Sequence, residues 1–239
     1  MSVAEGPQAP AESHHSHRDV TGGWLRPAVF GVTDGLVSNA ALIAGVAGGG
    51  VLPRAIVLTG LAGVAAGAFS MAAGEYVSVA SQTELTRAEI EIEKAEIQRV
   101  PAAEEAELAA IYRGRGVDPE TAAEVARQLS ADPEQAWRVH AREELGVDPD
   151  DLPSPWTAAL SSFFAFAVGA FLPVLPYLLG ATAPALSIAV ALMALFVAGV
   201  LVSRFTNRSA LYTGVRQLAL GSTACLLTYL VGRAVGAGI

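Results

Sequence analysis

Apolar positions in this chain run in blocks and do not alternate with polar ones. Five stretches, 27–49, 53–80, 156–179, 182–203 and 212–236, stand out. A helix on the surface of a soluble bundle keeps a polar face that returns every 3.6 residues. The stretch "APALSIAVALMALFVAGVLV" is apolar all round. A bilayer core about 30 Å thick needs about 20 apolar residues as a helix, and each stretch reaches that length. The pattern therefore predicts an all-α membrane protein with five transmembrane helices, and it excludes a soluble five-helix bundle. Residues 1–26 are polar, so no cleavable signal peptide is expected and the first span itself directs insertion.

Between the second and third spans the pattern changes to short amphipathic helices. "TELTRAEIEIEKAEIQ" follows the second span without Gly or Pro, which predicts one helix running out of the membrane. Val100-Pro101 breaks it, because the residue before proline resists the helical region. "AAEEAELAAIYR" forms the next helix and Gly114 to Gly116 ends it. Asp118-Pro119 and Asp132-Pro133 each read as an N-cap with proline in the first turn, opening "ETAAEVARQLS" and "EQAWRVHAREELG". The expected organisation is a disordered tail over 1–26, transmembrane helices 1 and 2 over 27–80, an acidic helical domain over 81–152, and transmembrane helices 3 to 5 over 153–239.

Composition sharpens this picture. The 239 residues are 52% hydrophobic and 16% charged, with mean hydropathy +0.44; soluble domains are about a quarter charged. Residues 81–152 hold 18 acidic and 8 basic residues, a net of −10, while the remainder has a net of +2. With the N-terminus in the cytosol, 13 of the 15 Lys and Arg residues lie inside, and Arg54 and Arg233 lie outside. That is a clear positive-inside split. It makes the tail and the acidic domain cytosolic and the C-terminus external. The single cysteine, Cys225, permits no intrachain disulfide and reads as packing. His14, His15 and His17 in the tail offer imidazoles that could collect metal.

Two sets of residues carry chemistry. Glu89, Glu93 and Glu96 share one face of a helix at i, i+4 and i+7. Glu104 and Glu107 follow the proline bend, and Glu144 lies one turn after His140. Like charges so spaced repel by a few tenths of a kcal/mol per pair, and a cation between them reverses the sign. The run reads either as a solvated acidic face or as ligands for Mn²⁺, Fe²⁺ or Zn²⁺. Within the spans lie Asp34 and, nearer the cytosolic end, Glu75. Ionisable groups at membrane depth are costly and mark function. Ser38 and Asn39 add polar oxygens after Asp34, and Met71 adds a thioether one turn before Glu75. Gly60, Gly63, Gly67 and Gly74 let the second span approach a neighbouring helix or a second subunit.

The strings "DGLVSNAALIAGV", "GLAGVAAGAFSMAAGEYVS", "RVPAAEEAEL", "EELGV" and "FLPVLP" resemble the vacuolar iron transporter family, from Phe30 to the C-terminus. The resemblance implies five transmembrane helices working as a homodimer, with a cytosolic domain that gathers metal. It also implies a proton-coupled antiporter that moves Fe²⁺, and Mn²⁺ as a second cargo, out of the cytosol. Glu93, Glu96, Glu104, Glu107 and Glu144 match the family's metal-binding glutamates, and Asp34 and Met71 its pathway residues. His140 and Ala141 stand where plant-type members have methionines, which favours Mn²⁺ or Zn²⁺, and Gly63 replaces a second pathway carboxylate. A bacterial inner membrane is the expected location. Neither an organic cofactor, a nucleic-acid partner nor an enzymatic activity is expected. A di-iron oxidase needs a Glu-x-x-His pair on each of two helices, and here Glu144 follows His140. The rival class is a metal sensor or store merely anchored in the membrane.

Overall fold

The computed structural model describes residues 23–206 and 208–238, so the tail histidines lie outside the described residues. Among the described residues all regular structure is helical. The order is α1 (Leu25–Gly48), α2 (Pro53–Arg99), α3 (Pro101–Gly114), α4 (Pro119–Leu129), α5 (Pro133–Glu143), α6 (Pro155–Phe171), α7 (Leu175–Leu178), α8 (Pro184–Thr206) and α9 (Ala210–Gly236). Four of these helices, α1, α2, α8 and α9, are long and apolar enough to cross a membrane. With 47 residues, α2 spans about 70 Å at 1.5 Å per residue, over twice the hydrocarbon thickness. Its second half must therefore leave the bilayer.

The third predicted span is not one helix. α6 has 17 residues and stops at Phe171; a turn follows, and α7 adds a single helical turn. Pro173 and Pro176 account for the break, since each lacks an amide hydrogen and its ring crowds the carbonyl one turn back. Two carbonyls at the break, Ala170 O and Pro173 O, find side-chain donors on other helices. Asn39 Nδ2 on α1 donates to Ala170 O at 2.5 Å and to Gly60 O at 3.2 Å. Ser187 on α8 donates its hydroxyl to Pro173 O.

Small residues set the helix spacing. α1 packs on α6 through Gly31 and Gly35, where an added Cβ would strike the α6 backbone at Ser162 O and Phe166 O, and Gly169 faces Val32 in return. Gly60, Gly63 and Gly67 of α2 face Val174, Asn39 and the Phe166 ring of the same chain, so these glycines serve internal packing; Gly74 alone of that run has nothing within 4 Å. A buried cluster of Ile43, Ile56, Val174 and Tyr177 ties α1 and α2 to the α6–α7 turn. α1 is the central helix, touching α2, α6, α8 and α9.

Past the apolar half of α2, α3 to α5 fold back on its projecting end. Asp118 and Asp132 cap α4 and α5 as expected, accepting from Glu120 N, Thr121 N and Glu134 N at 3.0–3.2 Å. Leu108, Ala109 and Ala126 form a small core there, flanked by Tyr112, Leu129 and Val139. Tyr112 donates to Glu143 at 3.2 Å, and Arg115 pairs with the same carboxylate, locking α3 to the end of α5.

Candidate metal centre

The end of α2, the start of α3 and the end of α5 converge on one imidazole. Because Val100-Pro101 turns the chain through an abrupt bend (φ −137°, ψ 51° at Val100), Glu104 returns beside the last turns of α2. α5 then lays its final turn across both. His140 is fully buried. Its Nδ1 lies 2.7 Å from Glu144 Oε1, 2.9 Å from Glu93 Oε1 and 3.9 Å from Glu104 Oε2. One donor atom from each of these four residues lies within 4.8 Å of all the others.

Electrostatics makes this cluster tense. Burial, then the Glu144 charge, pushes the Glu93 carboxyl up from 4.5 to about 7, against the opposing pull of His140. Burial and the charge of Glu107 likewise raise Glu104. His140 Nδ1 pairs with Glu144, while the buried Glu93 Oε1 and His140 Nε2 have no hydrogen bond among the described residues. A buried carboxylate oxygen lacking a donor is expensive, and so is a knot of like charges. A divalent cation answers both needs. Three carboxylates and an imidazole form a hard donor set suited to Fe²⁺, Mn²⁺ or Zn²⁺.

The predicted glutamates do not all take part equally. Glu96, half-buried, pairs with Arg99 at 3.4 Å and adds its field to Glu93 and Glu104. Glu107 is exposed but near enough to act on Glu104. Glu89, about three turns before the bend, is exposed and outside the four-residue group.

The intramembrane candidates separate onto different faces. Asp34 and Ser38 fall with Phe30 and Leu42 at every fourth residue of α1, and Phe30, Ser38 and Leu42 are exposed. Ser38 donates to the Asp34 backbone carbonyl at 2.6 Å. Asn39 instead points inward, tying α1 to α2 and α6. Its Oδ1 lies 2.5 Å from where a Cβ on Gly63 would stand, so a larger residue at 63 has no room beside Asn39. Met71 packs against the cluster of Ala68, Phe166 and Ala170, and Glu75 lines a partly open cleft with α1 and α8. The Asn39 contacts were not legible in sequence. A buried carbonyl beside the proline break, Ala170 O, explains the shorter one, and only the fold shows that Asn39 reaches it.

A helical bundle with spans of this length, carrying a buried carboxylate–imidazole cluster on an extended helix, is an integral membrane protein equipped with a candidate cation site. The sequence model of the VIT family matches residues 25–233. "Vacuolar iron transporter 1" of Oryza sativa subsp. japonica is 34% identical over 236 residues, 95% of this chain and 93% of the relative. "Vacuolar iron transporter 1" of Arabidopsis thaliana is 32% identical, covering 93% and 90%. "Vacuolar iron transporter" of Acanthamoeba castellanii is 38% identical, covering 93% and 84%. The chain belongs to the VIT family.

Proposed function

We propose that the protein carries divalent metal across the membrane, taking Fe²⁺, with Mn²⁺ as a second cargo, from the cytosol and exporting it in exchange for protons. One observation carries the reading: Glu93, Glu104, Glu144 and His140 gather around a single point at the foot of a membrane-spanning helix. The names of the relatives support iron as the cargo. In this reading residues 81–152 form a cytosolic collector. α6 and α7 together make the third of five spans, and the arginine distribution sets the orientation. The proposed location is a bacterial inner membrane, with the vacuolar relatives as eukaryotic counterparts.

From the collector the ion passes to Asp34. An acid on an uncovered helix face is costly against lipid, so the stripe of Phe30, Asp34, Ser38 and Leu42 calls for a second wall. A second copy of the chain supplies it in our proposal, making the conduit a feature of the homodimer. The projecting part of α2 favours the same arrangement. Leu85 and Ile92 are 63% and 52% exposed, and Ala88 and Ala95 share their face at coiled-coil spacing. A carboxylate takes either a proton or a cation, so Asp34 exposed alternately to the two sides exchanges one for the other. Flux of Fe²⁺, Mn²⁺ and Zn²⁺ into proteoliposomes tests the reading, with and without an opposing proton gradient. Gradient-driven accumulation of iron supports it. Tight binding with no flux would instead make the protein an anchored store or sensor.

A further inference from the structure

Glu75 takes no part in the α1 stripe, and its surroundings have a different chemistry. It lines a cavity of about 370 Å³ between the start of α1, the middle of α2 and the end of α8, together with Arg26, Gln82 and Thr206. Arg26 and Glu75 border this space from different helices, yet neither forms an ion pair among the described residues. An acid and a base that face one cavity without meeting leave room for something that satisfies both.

The cavity continues into a second space. Val29, Val202 and Phe205 line both it and an almost wholly apolar trough of about 560 Å³. Leu36 and Val32 of α1 form the floor of that trough, Phe164 and Val168 of α6 one wall, and Val197 and Leu201 of α8 the other. The trough exists because α6 and α8 both pack on α1 but scarcely on each other. Each volume falls within the range of about 300–1,000 Å³ usual for small-molecule sites. An apolar trough that runs into a chamber bordered by one cationic and one anionic side chain has the shape of a phospholipid.

We propose that this cleft is a phospholipid site in the leaflet on the N-terminal side, selective for a zwitterionic headgroup with a primary ammonium, as in phosphatidylethanolamine. One acyl chain lies in the trough against α1, the phosphate meets the Arg26 guanidinium, and the ammonium meets the Glu75 carboxylate. Basic side chains near a membrane surface hold lipid phosphates in this way, and the carboxylate supplies the discrimination. Phosphatidylglycerol offers the same phosphate and chain but no ammonium. The site goes beyond metal transport and stands whether or not the protein carries iron.

The test is native mass spectrometry of the full-length protein, purified in detergent and exposed to equal amounts of phosphatidylethanolamine and phosphatidylglycerol. The wild type should retain phosphatidylethanolamine about fivefold more than phosphatidylglycerol, the discrimination one such charged contact provides. Glu75→Gln should erase that preference while phosphatidylglycerol stays bound. Arg26→Gln should weaken both lipids. Ala198→Phe, which fills the trough from α8, should lose both lipids equally. Because the Glu75 variant is read as a ratio on protein that still binds lipid, misfolding cannot imitate the expected result. Equal retention of the two lipids by the wild type, or an unchanged ratio in Glu75→Gln, overturns the proposal.

Discussion

His140 sits where three carboxylates meet. Its Nδ1 lies within 3 Å of two carboxylate oxygens, so it both holds the ligands in place and offers a nitrogen donor. Replacing Glu93 by Gln removes a buried charge and should weaken Fe²⁺ and Mn²⁺ binding by about 2 kcal/mol or more, roughly thirtyfold, in a calorimetric titration. His140→Ala should lower Zn²⁺ affinity more than Mn²⁺ affinity, because imidazole favours zinc while carboxylates serve manganese. The Glu93 carboxyl, raised to about 7, predicts the pH behaviour. Metal affinity should climb between pH 6 and 8, with a proton released on binding near neutrality. For the metal-free protein the sign is opposite. A folded pKa of about 7 against the usual 4.5 means the stability this group contributes is fully present below pH 4.5 and is lost as pH rises to 7, so the melting temperature should fall from pH 4.5 to pH 7 and level off above. The pairing of His140 with Glu144 is legible in sequence, because i and i+4 share a helix face. The meeting of Glu93 with Glu104 is not. It depends on the angle at Val100-Pro101, and residue spacing does not encode that angle.

Helix identity comes through from sequence where the punctuation is chemical. Asp118-Pro119 and Asp132-Pro133 predict caps that the structure contains, and the uninterrupted run after residue 80 predicts the length of α2. Apolarity alone misleads at the third span. It marks 156–179 as continuous, while two prolines end the helix at Phe171. Neither does hydropathy show that α1 and α6 touch backbone to backbone. Gly31 is 2.8 Å, measured from an added Cβ, from Ser162 O and 3.1 Å from Phe166 N. Backbone cannot yield as a flexible side chain does, so Gly31→Val should destabilise the bundle by about 1–3 kcal/mol, seen as a lowered melting temperature in detergent. The same substitution at Gly74, which faces open space, should leave that temperature within about 0.5 kcal/mol equivalent.

At the scale of the molecule, one chain leaves two surfaces unfinished: the α1 stripe carrying Asp34, and the projecting α2 face carrying Leu85 and Ile92. Both are completed at once if two copies meet along α1 and α2. Ile92→Cys, in a background where Cys225 is serine, should then form a disulfide-linked dimer in membranes under mild oxidation. A monomeric product would separate the two surfaces and leave the conduit without its second wall. The central claim is that metal gathered outside the bilayer crosses it past Asp34. Its most direct measurement is Fe²⁺ flux in proteoliposomes containing Asp34→Asn, with Fe²⁺ binding measured on the same purified protein. The account predicts binding equal to that of the parent protein and flux lower by about tenfold or more, as loss of a charge worth over 1.4 kcal/mol to the passing ion requires. Undiminished flux in that variant would contradict it.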